Sequence, residues 1–100
     1  MIPFVAVMLA GGEGGPSGAP SQLSYYSVSD EYATRYVFTW VLGDAAAYTK
    51  LYVNGSVAAT LYPGVTEYDG GYVVEGGPYT VYVRHFKNGR LSRPSNIVVA

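Results

Sequence analysis

Two Asn-Gly pairs, Asn54-Gly55 and Asn88-Gly89, constrain this chain more than any other feature. Each lies between runs of β-branched and aromatic residues. A two-residue hairpin loop that matches the right-handed twist of its strands needs positive φ at both central positions, which Asn and Gly tolerate best. "YTKLYVNGSVAATLY" (48–62) and "YTVYVRHFKNGRLS" (79–92) therefore read as antiparallel hairpins. Further β-rich runs cover 23–29, 35–42, 66–74 and 91–100. In "RYVFTWVL" the side chains alternate, with Tyr36, Phe38, Trp40 and Leu42 on one face and Val37, Thr39 and Val41 on the other. Gly70-Gly71 marks a turn or bulge. The one alanine cluster, "GDAAAYTK", is too short to hold a helix. The pattern predicts an all-β, seven-stranded antiparallel sandwich over residues 20–100.

From Pro20 to Ala100 the chain resembles a fibronectin type III domain. The residues that carry the likeness are Trp40 within "VFTWVL", the "LYVNG" run, and above all "PYTVYVRHFKNGRLSRPSNIVV". This last stretch is similar to that family's sixth strand, turn and seventh strand. The resemblance implies an immunoglobulin-like sandwich with Tyr79 as its corner tyrosine and Val81 and Val83 following inward. Trp40 and Phe38 would join them in the core, and Pro94, Ser95 and Asn96 would lead into the last strand. Two positions depart from the family pattern. His85 stands where a small residue is usual, and "VVEGGPY" lacks the customary Leu, whose pocket Val73 or Val74 is expected to fill.

One hundred residues allow a single sandwich, and with 49% hydrophobic residues a core is affordable. Charged residues make up 13%, about half the usual share, which suits a surface packed against neighbours. Without cysteine there are neither disulfides nor thiolate metal sites. The net charge of −1 argues against nucleic acid as the main partner. Charge is nevertheless uneven: all seven acids precede residue 76, while Arg84, Lys87, Arg90 and Arg93 follow it. That asymmetry reads either as a solvated basic hairpin or as one of two surfaces that meet in an assembly. Eleven tyrosines exceed what a lone soluble domain needs and point to contact surfaces.

No catalytic constellation emerges. His85 is the single histidine and reads as a half-buried packing residue, and no serine sits in a nucleophile elbow. Glu67 and Asp69 share a strand face, but beside a Gly-Gly turn they read as solvated carboxylates rather than a metal or glycosidase pair. "GGEGGPSG" lacks the Lys-Ser/Thr ending of a phosphate loop. Asn54-Gly55-Ser56 fits the glycosylation pattern, yet the hairpin already accounts for it. No enzyme activity, cofactor or metal is therefore expected. Candidate surface contacts are Tyr52, Tyr82, Arg84, Lys87, Arg90 and Arg93, and the alternative is an edge that its cations keep solvated.

Residues 1–19 form a separate region: apolar "MIPFVAVMLA" followed by a Gly/Pro/Ser-rich tether. No basic residue precedes the apolar stretch, unlike a signal peptide, and it falls short of the ~20 residues of a spanning helix. The expected role is an anchoring arm. Ile2, Pro3, Phe4, Val5, Val7, Met8 and Leu9 would add to another subunit's sheet edge, or fold back as an extra strand on their own sandwich. Small one-module chains of this kind resemble bacteriophage virion accessory proteins. That likeness implies a capsid decoration or minor head or tail protein on the virion surface. Its partners would be major capsid or tail subunits, further copies of the chain, and host-surface glycans. The alternative is an extracellular adhesion module that binds carbohydrate or protein.

Overall fold

A computed structural model describes residues 14–73 and 77–100. Among these the chain is all β. Eight strands run in order: β1 (Ser21–Ser29), β2 (Thr34–Val41), β3 (Tyr48–Val53), β4 (Ser56–Leu61), β5 (Glu67–Val73), β6 (Thr80–Lys87), β7 (Arg90–Leu91) and β8 (Val98–Val99). They form two antiparallel sheets. One has three strands in the order β1-β2-β5; the other has five, β4-β3-β6-β7, with β8 also paired to β6.

Both Asn-Gly pairs make the expected loops. Val53 pairs with Ser56 and Lys87 with Arg90, which leaves two-residue connections. Asn54 and Asn88 take φ of 51° and 52°, followed by Gly55 at 88° and Gly89 at 75°. The Asn54 side chain accepts the Thr80 N–H (2.9 Å), so it has a structural task in the turn. Gly70-Gly71 is a bulge. The β2–β5 register shifts there, with Gly71 at φ 74°.

The strand count differs from the seven expected, because the last strand is split. Pro94 has no N–H to donate to the ladder. Around it, serine hydroxyls replace backbone rungs: Ser92 Oγ accepts the His85 N–H (2.9 Å) and Ser95 Oγ accepts the Val83 N–H (3.0 Å). β7 and β8 thus flank one interrupted edge on β6.

Between the sheets lie Leu23, Phe38, Trp40, Leu51, Val81 and Val83, all buried. Tyr36, Tyr68 and Tyr79 pack around them. Tyr79 meets Tyr36 edge-on at 5.8 Å, and its backbone exchanges hydrogen bonds with Ala100. The alternation read in β2 holds on the core side. Val37 is also buried although it points outward, between its cross-strand neighbours Tyr26 and Asp69. The side chains of Val73 and Val74, expected to fill the leucine pocket, lie outside the described residues.

His85 is a packing residue, wholly buried rather than half-buried. Its Nε2 accepts the Gly43 N–H at 3.0 Å, which fixes Nδ1 as the protonated nitrogen, facing Thr49 Oγ1 (3.1 Å) and Tyr48 O (3.3 Å). Burial pushes its pKa below the usual 6.5. The ring ties β6 to the β2–β3 loop through Gly43 and to β3 through Thr49.

Candidate binding surfaces

The described part of the tether is bound to its own domain. Ser17 N–H donates to Asp44 Oδ2 (2.9 Å), and Asn88 Nδ2 donates to Gly14 O (2.9 Å). Backbone contacts are close enough to require glycine. A Cβ on Gly15 would sit 2.9 Å from Arg90 Cβ, and one on Gly18 would sit 2.9 Å from Gly43 O. Residues 14–19 therefore form a strap from the β6–β7 turn to the β2–β3 loop, ending at buried Pro20. The arm residues 2–9 lie outside the described residues.

Asp44 fastens the strap. Its carboxylate accepts Ser17 N–H, Ala46 N–H (2.9 Å) and Lys87 Nζ (3.3 Å). These donors, the Ser17 amide first, pull its pKa down to about 2 from 3.8. Because the folded value lies below the unfolded one, this carboxylate stabilises the fold fully above pH 3.8. That contribution is lost as pH falls through about 2. The Ser17 amide is expected to lose hydrogen-exchange protection over this window while the Ser95 amide, bonded to Val83 O, keeps it. Equal protection of both at pH 2 would contradict the assignment.

The six candidate contacts divide among different surroundings. Lys87 belongs to Asp44, and Arg90 lies under Gly15, so both serve the strap. Arg93 is exposed. Tyr52, Tyr82 and Arg84 share the outer face of the five-stranded sheet. The two tyrosines are half-buried rather than exposed, because their rings stack on each other at 4.8 Å and 11°.

That outer face is ordered in rows, since cross-strand partners share a face. The row nearest the strap is Tyr62, Tyr48, Phe86 and Leu91, from the register Tyr48↔Phe86↔Leu91 and the Tyr48–Tyr62 ring contact at 6.1 Å. The next is Lys50 opposite Arg84, with Thr60 beside them. The third is Val57, Tyr52 and Tyr82. Lys50 Nζ lies 4.8 Å from the Phe86 ring centroid, and Arg84 Nε donates to Ser92 O (2.7 Å). No acidic residue occurs on any strand of this sheet, whereas Lys50, Arg84, Lys87 and Arg90 do. Tyr48, Lys50 and Tyr62 were not singled out from sequence. The alternation Tyr48-Lys50-Tyr52 carries the signal, but only the register shows what stands beside it.

The three-stranded sheet is different. Arg35 binds Asp69 (Nε to Oδ2, 2.8 Å), which also accepts the Gly71 N–H, and both hold its pKa below the ordinary value. Asp69 is thereby committed to an ion pair, while Glu67 stays exposed. No group of three metal-ligating side chains occurs among the described residues. Between β4 and β5 an apolar cavity of about 150 Å³ is lined by Tyr36, Phe38, Leu51, Val53, Tyr68 and Tyr79 among others. It offers room for an apolar group but contains no acid or base.

No family model matches the sequence. No curated protein matches it either. Among solved structures, the fold is similar to part of the Clostridium perfringens spore cortex lytic enzyme SleM, with 20% identity and a TM-score of 0.62. The match covers 85% of this chain and 28% of that one, so the chain spans little more than a quarter of that protein's length. At this identity the likeness is one of fold: a small all-β sandwich consistent with an immunoglobulin-like arrangement.

Proposed function

We propose that the chain is a non-catalytic docking domain that works within a larger assembly, engaging its partner through the outer face of the five-stranded sheet. The observation that carries this reading is the row pattern itself. Exposed Tyr62 and Tyr48 stand beside an acid-free sheet on which two cations face each other, an arrangement unfavourable in isolation and useful against a partner. The finer form is a fibronectin type III-like virion accessory protein of a phage, anchored by residues 2–9 and displaying the sandwich at the capsid or tail surface. The strap is compatible with that form, since Asn88 holds Gly14, the first described residue of the tether, beside the β6–β7 turn. A second reading is an adhesion module of a secreted or cell-surface protein. It is favoured by the ring-bearing face and by the occurrence of a similar fold within a spore cortex lytic enzyme.

Cosedimentation of the full chain with purified virions and with isolated cell envelopes tests both. Retention on at least one is expected, with an at least tenfold loss for the Tyr48→Ala/Tyr62→Ala variant. Deleting residues 1–12 should abolish retention on virions if the arm anchors the protein, and leave envelope binding unchanged if it is an adhesion module. Equal retention of the wild type and the double variant would overturn the docking role of this face.

A further inference from the structure

We infer that the ligand of the aromatic–cationic face is a carboxylated glycan of the polyuronate type, whose carboxylate groups meet Lys50 and Arg84 while sugar rings lie against the flanking aromatic rows. The inference rests on the reading of this face as the docking surface. Three observations carry it. The first is the charge of the pair. Lys50 and Arg84 are direct cross-strand partners, and among the described residues neither has a carboxylate partner. Among the described residues Arg84 gives only its Nε to a hydrogen bond, to Ser92 O, which leaves the rest of a guanidinium fork suited to a carboxylate.

The second is the alternation. Successive outward residues on a strand are about 6.6 Å apart, so ring, cation and ring rows repeat over roughly 13 Å. A polyuronate offers the same two chemistries in succession, an apolar pyranose face and a carboxylate. Tyr62, 76% exposed, and Tyr48, 42% exposed, keep ring surface open to it at one end. Tyr52 and Tyr82 use a face on each other and present their edges and hydroxyls at the other.

The third is size. The longest row runs from Tyr62 across β3 and β6 to Leu91 on β7, three interstrand gaps or about 14 Å, and the other two stop at β6. A strip of roughly 13 by 14 Å is far smaller than the ~800 Å² per partner of a stable protein interface, and matches a few sugar units.

Calorimetric titration of the full chain at low salt with a hexauronate tests this, using maltohexaose as neutral control and hexaglutamate as acidic-peptide control. Binding to the hexauronate alone is expected. It should weaken at least tenfold in Lys50→Gln/Arg84→Gln and in Tyr62→Ala, and stay unchanged in Glu67→Gln on the opposite sheet. Equal binding of hexaglutamate with no effect of Tyr62→Ala would overturn the inference in favour of an acidic protein. Equal binding of maltohexaose would remove the role of the carboxylate. Absence of hexauronate binding alongside Tyr48/Tyr62-dependent cosedimentation would refute the glycan and leave the docking face standing.

Discussion

Replacing His85 with alanine is expected to destabilise the fold by about 3 kcal/mol, the largest effect of any single polar side chain here. The substitution empties a fully buried site and strands the Gly43 N–H and the Thr49 hydroxyl, which His85 holds at 3.0 and 3.1 Å. For a domain of this length the loss corresponds to a fall in Tm of roughly 15 °C. The wild type also carries a pH signature. Burial sets the folded pKa of His85 below 6.5, so above that pH neither state is charged and stability is at its full value. As pH falls below 6.5 the unfolded chain takes up a proton that the folded site refuses, since Nε2 already accepts the Gly43 N–H. The stability gap between wild type and His85→Ala should therefore narrow from pH 7 to pH 5 in denaturant titrations. A constant gap would show that the ring titrates freely.

Gly43→Ala should be nearly as damaging, for a different reason. A Cβ at this position would lie 2.1 Å from the carbonyl oxygen of Ala19 and 2.6 Å from its carbon. Both are backbone atoms, so no side-chain rotation relieves the clash. Either the strap lifts or the β2–β3 loop moves, and both break the Ser17–Asp44 bond. We expect a loss of about 2–3 kcal/mol, the scale of a forced overpacking. New subtilisin cleavage should appear within residues 14–19, which carry the contacts that would be lost. An intact strap in limited proteolysis, with Tm within 2 °C of the wild type on the ~4–8 °C per kcal/mol scale, would contradict this.

These two residues show how far the sequence could be read. Local chemistry is written locally: Asn54-Gly55 and Asn88-Gly89 force their turns whatever surrounds them, and Val81 and Val83 alternate inward as the pattern demands. The split of the last strand was also present in Pro94, although a continuous "LSRPSNIVV" run hides it. The strap was not legible. A Gly/Pro/Ser-rich stretch loses much conformational entropy on ordering, which makes it read as a free tether. What holds it is Asp44, 27 residues away in the chain, and no local pattern links them. The docking face falls between these cases. Tyr52, Tyr82 and Arg84 are recognisable as outward strand residues, but the opposition of Lys50 and Arg84 exists only once β3 and β6 are in register. The same register explains why the basic C-terminal quarter is not one surface, since Lys87 and Arg90 turn toward the strap while Arg84 joins the sheet face.

On the proposed reading, the partner covers the outer face of the five-stranded sheet. Hydroxyl-radical footprinting of the full chain, free and bound to the virion or envelope that retains it, tests it most directly. Tyr62 and Tyr48 mark this face, and Tyr26 and Tyr32, 54% and 77% exposed, mark the three-stranded sheet and its β1–β2 turn. Binding should protect Tyr62 and Tyr48 from oxidation and leave Tyr26 and Tyr32 unchanged. Protection of Tyr26 and Tyr32, with Tyr62 and Tyr48 oxidised as in the free protein, would place the partner on the opposite sheet and overturn the docking role of this face.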